Sequence, residues 1–179
     1  GNGTLIFTSG GTEADNTAIF GAARALRRRG NRIITSAVEH PAVLECCKRL
    51  EQDGYDVVYV GVDDKCRLDL ERLEDAIDEN TILVSLMQVN NEAGTIMPVD
   101  AVKDLMKKKN APGWFHCDAV QSFGKLQVPE SADLISVSSH KIHGPKGVGF
   151  LYINEKAKVQ PQILGGGQQA GMRSGTDNV

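Results

Sequence analysis

The run TILVSLMQV, Thr81–Val89, constrains the fold more than any other stretch of this chain. It is nearly all apolar, as a strand covered on both faces should be, and that pattern belongs to mostly parallel sheets. Its neighbours agree. TLIFTS (4–9), RIITSA (32–37), DVVYVGV (56–62), GWFHCDA (113–119), DLISVSS (133–139) and GVGFLYI (147–153) read as further strands. Ala18, Ala22, Ala25 and Leu26 recur at helical spacing and predict a helix over 13–28. Pro41 suits the first turn of a helix reaching Gln52, with Val43, Cys47 and Leu50 on its buried face. Leu70, Leu73 and Ile77 mark a short helix, and another is expected over 99–109. This alternation is the signature of an α/β fold, a mostly parallel central sheet flanked by helices.

With 179 residues, 41% hydrophobic and 24% charged, the chain matches one soluble globular domain. Neither repeats nor a low-complexity linker divide it. A formal net charge of -3 gives no case for a nucleic-acid or acidic-membrane partner. The basic run RRRG (27–30) follows a helical pattern and reads as cations at a helix C-terminus ended by glycine. No apolar stretch reaches the ~18 residues of a membrane span, and no signal-peptide pattern is present. The 4 cysteines, Cys46, Cys47, Cys66 and Cys117, fit no C-x-x-C motif, so reduced thiols and a cytoplasmic setting are the default. The chain opens straight into a strand and stops inside the motif-like RSGTDNV, which reads as a segment truncated at both ends.

Glycines cluster at 10–11, 144–149 and 165–175, at the ends of expected strands, where open α/β sheets bind ligands. TSGGTEADN follows a strand and opens a helix, so the N–H groups of Gly11 and Thr12, with the Thr12 hydroxyl, can face an anion. The same residues can equally serve as a plain helix cap. Asp118 ends a strand, with Gln121 one turn later; the acid either makes a structural hydrogen bond or holds a positive ring nitrogen. His40, kept extended by Pro41, is a structural residue or a platform for a flat cofactor. Asn91 follows a buried strand and either turns the loop or donates to a phenolic oxygen, and Lys141 sits in SSHKIHGPKG. A lysine, a carboxylate, a phosphate cradle and a stacking ring are the four requirements of pyridoxal phosphate chemistry.

Six stretches, FTSGGTEADN, SAVEHPAV, VNNEAGTIMPV, HCDAVQSFGK, SSHKIHGPKGVGFLY and GGGQQAGMRSGTDN, resemble the cysteine desulfurases of the NifS/IscS type, in order along the whole chain. The resemblance implies the large domain of a fold type I pyridoxal 5'-phosphate enzyme in the class V aminotransferase-like branch, with the C-terminal small domain absent. It implies that Lys141 bonds the cofactor aldehyde and acts as base at the substrate Cα, with His40 stacking and moving protons. It makes Asp118 the partner of the ring nitrogen, Gln121 and Asn91 contacts of the ring or its oxygen, and Thr12, Ser138 and His140 phosphate ligands. Gly11 stands where the family more often has alanine. Thr176 matches a residue that reaches the phosphate of a neighbouring subunit, so a homodimer is implied. The implied substrate is L-cysteine, its sulfur passing through an enzyme persulfide to an acceptor or scaffold protein for iron–sulfur cluster or thio-cofactor assembly. The family's persulfide cysteine and substrate-carboxylate arginine fall beyond Val179, so a chain of these residues alone is expected to be inactive. Arg173 is read as a loop or interface residue, and none of the four cysteines as the persulfide carrier. Selenocysteine lyase has very similar motifs, class V transaminases share the platform although VNNE and RSGT lean away from them, and a non-catalytic dimerisation or docking module is the alternative outside enzymes.

Overall fold

A computed structural model of the chain describes residues 2–177. The strands are β1 (Gly3–Thr8), β2 (Arg32–Ser36), β3 (Asp56–Val60), β4 (Thr81–Met87), β5 (Trp114–Asp118), β6 (Leu134–Ser138) and β7 (Gly149–Asn154). The helices are α1 (Gly11–Leu26), α2 (Pro41–Gln52), α3 (Leu70–Ala76) and α4 (Val102–Lys108). All strands join one 7-stranded sheet in the order β1-β7-β6-β5-β4-β2-β3. Only β7 runs against the rest, pairing antiparallel with both β1 and β6. The C-terminal ends of β1, β2, β4, β5 and β6 therefore share one edge of the sheet, which is where the polar residues singled out above lie.

Strand β4 is buried at every position, the condition its unbroken apolar run demanded. The core forms two layers. On one face α1 and α2 bury Ala14, Ala18, Ala22, Val43, Cys47 and Leu50 against Ile33 and Leu83. On the other, Leu73 of α3 and Met106 of α4 pack with Ile34, Val84 and Phe115. Each such large side chain removed from water contributes roughly 1.5–3 kcal/mol. The alanines at 14, 18 and 22 let α1 lie close to the sheet. Gly21 admits the segment that follows β7, because a Cβ there would meet Val159 Cγ1 at 2.3 Å and the Gln160 carbonyl at 2.6 Å.

Helix boundaries follow local chemistry. His40 is the N-cap of α2 with Pro41 in the first turn, and Asp69 caps α3 by accepting from the Glu71 and Arg72 amides. The helix expected over 99–109 is divided: Val99–Ala101 forms a tight 3-10 turn after Pro98 before α4 begins. The strand expected over 56–62 stops at Val60, because Val62 turns to pair with Leu68 in an isolated antiparallel bridge. Lys141, expected in a loop, sits on a one-turn 3-10 helix, Ser139–Ile142, that His143 ends in a left-handed conformation.

Candidate active site

A cleft of about 270 Å³ opens at the shared edge, lined by Gly11, Thr12, Asp15, His40, Met87, Val89, Asn91, Asp118, Val120, Gln121, Ser138, His140 and Lys141. Nine of the ten residues singled out as cofactor contacts are among these. Each reaches it for a local reason. Gly10, at φ 152, turns the chain sharply from β1 into α1, a conformation open to glycine. No side chain caps α1, so the simple capping role considered for this turn does not hold, and the positive end of the helix faces the cleft. A Cβ at Gly11 would lie 2.8 Å from Val120 Cγ2 and 3.5 Å from Ser138 Cβ. Helix start, β5 loop and β6 end thus meet at Gly11.

Ser138 Oγ and His140 Nδ1 are 2.7 Å apart, so the hydroxyl orients the imidazole beside that helix end. The amide of Ser139 donates to the Val148 carbonyl and that of Gly144 to Ser139, closing the turn that presents Lys141. Asn90 accepts from the Glu92 and Ala93 amides and donates to the Val38 carbonyl. It is therefore Asn90 that turns the loop, and exposed Asn91 is left to the cleft. His40 Nδ1 accepts from the Ala42 amide at 3.1 Å, which answers the structural reading of this residue, while its ring also lines the cleft.

The acids are the deepest element. Asp118 is 6% exposed, and its Oδ1 accepts from the Val120 amide at 2.9 Å. Burial raises its carboxyl above the usual range, with the Val120 N–H and the nearby His40 opposing. Sequence reasoning missed Asp15, which lines the same cleft and is 2% exposed. It also missed the layer behind: Glu39, held by Ser36 Oγ at 2.5 Å and the Met87 amide at 2.8 Å, and His116, set between Ser85 and Ser136 at 2.8 Å each. Burial pushes Glu39 up to about 8 and His116 down to about 3. One signal was available for Asp15, which follows Gly11 by a single helical turn and so shares its face.

Thr176 does not line this cleft. It lies with Phe7, Ser9 and Arg173 in a separate depression. Arg173 is anchored to Glu13 of α1 at 3.0 Å, a link between the 165–177 loop and the helix. Cys46 and Cys47 are buried in α2, where burial pushes both thiols up to about 12, and burial raises Cys117 well above its ordinary value. Cys66 sits in a turn away from the cleft.

This sheet, with its cleft at the strand ends, has the fold of the large domain of type I pyridoxal phosphate transferases. The chain belongs to the aminotransferase class-V family, whose model matches residues 2–177. It is 48% identical over 177 residues to the cysteine desulfurase IscS of Photobacterium profundum, covering 96% of this chain and 43% of that protein. Among solved structures, a NifS-like protein superposes with a TM-score of 0.93 at 46% identity, covering 97% of this chain and 49% of the other. A structure of SspA in complex with cysteine gives a TM-score of 0.89 at 38% identity, covering 97% and 51%. The chain thus spans less than half the length of the IscS relative. No helix among the described residues is long and apolar enough to cross a membrane.

Proposed function

We propose that the chain is the cofactor-holding large domain of a pyridoxal-phosphate-dependent cysteine desulfurase, active on L-cysteine and yielding alanine and an enzyme-bound persulfide. The convergence of Lys141, Asp118 and His40 on one cleft from three separate strand ends carries this reading. Similarity to IscS and to SspA in complex with cysteine supports the substrate.

The residues present fit the cofactor. Asp118 is a buried carboxylate with Oδ1 bonded to an amide, and it suits a protonated ring nitrogen that would neutralise it. An uncapped helix start beside Ser138 and His140 suits a phosphate. Pyridoxal phosphate, when bound, supplies an aldehyde for amines and a ring that accepts carbanion electrons.

The chain's own groups then divide the work. Nζ of Lys141 would hold the aldehyde and, as a free amine, would move the proton at the substrate Cα. Asp118 keeps the proton on the ring nitrogen. In neutral His40 the bond accepted at Nδ1 leaves the proton on Nε2, on the edge free to face the ring and substrate. Asn91 and Gln121 orient the ring, and Gly11, Thr12, Ser138 and His140 bind the phosphate. The thiol that accepts sulfur is none of the four cysteines here, so this chain alone releases no alanine. Thr176 completes the phosphate site of a second subunit in a homodimer. The protein works in the cytoplasm and passes sulfur to an acceptor or scaffold protein.

Borohydride reduction in the presence of pyridoxal phosphate, followed by peptide mass mapping, tests the reading. A pyridoxyl group on Lys141 is expected; an unmodified Lys141, or a label spread over surface lysines, would leave a non-catalytic module as the better account.

A further inference from the structure

We propose that Asp15 stays protonated beside an ionised Asp118, so that a single negative charge faces the cofactor nitrogen. This rests on the cofactor reading above and goes beyond it, since it assigns a role to a residue in which no cofactor contact was foreseen.

Asp15 and Asp118 come from different elements, α1 and β5, yet line one cleft and are both almost fully buried. Oδ1 of Asp15 has no hydrogen-bond partner in the protein. Its nearest candidate cation, His116 Nε2, is 3.6 Å away and no ion-pair partner, because burial holds that imidazole neutral. The other groups around Asp15 supply no positive charge. Glu39, following β2, is a third acid, and Cys46 of α2 is a buried neutral thiol. Ser136 of β6 offers a hydroxyl hydrogen bond that opposes the rise of the Asp15 carboxyl but brings no charge. His40 acts on Asp118 rather than on Asp15.

A buried carboxylate with no cation beside it and one oxygen left without a partner is costly, and such a group takes up a proton instead. Burial is the largest influence raising the Asp15 carboxyl, and the charge of Asp118 adds to it. One pyridinium facing one carboxylate forms a neutral pair, the arrangement least costly to bury; a second anion would be uncompensated. Ser136 Oγ, His116 and Ser85 Oγ form a neutral chain with 2.8 Å links at both imidazole nitrogens. Protonated Asp15 adjoins this chain, which can accept a hydrogen bond from it while every group stays neutral. Asp15 is thus a positioning residue, acting on the ring through the charge state of Asp118.

The test compares the pyridoxal-phosphate-loaded protein with its Asp15→Asn and Asp118→Asn variants. Infrared difference spectra at neutral pH should show a carboxylic-acid C=O band that Asp15→Asn removes. Asp15→Asn should keep cofactor affinity within about threefold, while Asp118→Asn weakens it by roughly tenfold or more. A lost carboxylate band in place of the acid band, or equal weakening by both variants, would overturn the proposal. Should Asp15→Asn not fold, the carboxyl carbon shift of labelled Asp15 in the unaltered protein, followed against pH, reports the same proton. The infrared arm can be repeated without cofactor. A protein that keeps the Asp15 band yet binds no cofactor would therefore refute the functional reading and leave the charge state of Asp15 established.

Discussion

His40 Nδ1 accepts the amide hydrogen of Ala42 at 3.1 Å, so one imidazole both caps α2 and walls the cleft. The two roles are separable. His40→Ala removes cap and ring together and should cost about 1 kcal/mol of stability, the usual worth of a capping bond. His40→Asn keeps an acceptor at the N-cap and should recover most of that loss. Neither should restore the absorption band of bound pyridoxal phosphate to normal position, or turnover by the full-length enzyme to normal rate. Urea unfolding read beside the cofactor spectrum checks this; parallel recovery of both in His40→Asn would mean that the ring is only a cap.

Gly11 leaves no room for a methyl group. A Cβ there would come within 2.8 Å of Val120 Cγ2, closer than such atoms approach without movement. Gly11→Ala should therefore destabilise the fold by roughly 1–3 kcal/mol despite alanine's better helix propensity, and weaken cofactor binding. Pairing it with Val120→Ala should recover much of the loss, a non-additive result that thermal melts of the four-member cycle would reveal.

Much of this architecture was legible in local sequence because local chemistry dictates it. Pro41 and the 43-47-50 stripe mark α2 from Pro41 to Gln52, and an unbroken apolar run marks β4. Residues whose chemistry shows in one dimension, Lys141, Asp118 and His40, were legible too, and the fold brings them to one cleft. What was not legible depends on pairing across the sheet. Nothing in GTLIFT says that β1 pairs antiparallel with β7 at the sheet edge. The acids in and behind the cleft were hidden for the same reason, since Asp15 looks like a surface charge until α1 packs on the sheet, and Glu39 until the loop after β2 meets the end of β4.

The thiols give a counting experiment. Cys46, Cys47 and Cys117 are buried and burial raises each of them, so their reactive thiolates are scarce at neutral pH. A maleimide should label about one thiol per folded chain, at half-buried Cys66, and all four after denaturation. Cys66→Ser should abolish the folded-state label and leave cysteine turnover by the full-length enzyme unchanged. Loss of sulfide release in that variant would give Cys66 the catalytic role denied to it here.

Glu39 makes stability depend on pH. Its folded-state pKa of about 8 lies above the ordinary carboxyl value, because the buried site disfavours the charge. The folded state therefore binds the proton more tightly than the unfolded chain. That contribution is fully present below the unfolded value near 4.3, and is lost as pH rises through 8. The raised carboxyls of Asp15 and Asp118 act in the same direction. Cofactor-free protein should become less stable between roughly pH 5 and 8, by up to about 1.4 kcal/mol per pH unit for each such group. Glu39→Gln should flatten that slope, since an amide can donate to Ser36 Oγ and accept from the Met87 amide without ionising. Chemical unfolding at a series of pH values reads it directly. A slope unchanged by Glu39→Gln would mean that Glu39 is ionised in the folded protein and that its Ser36 and Met87 bonds hold a carboxylate.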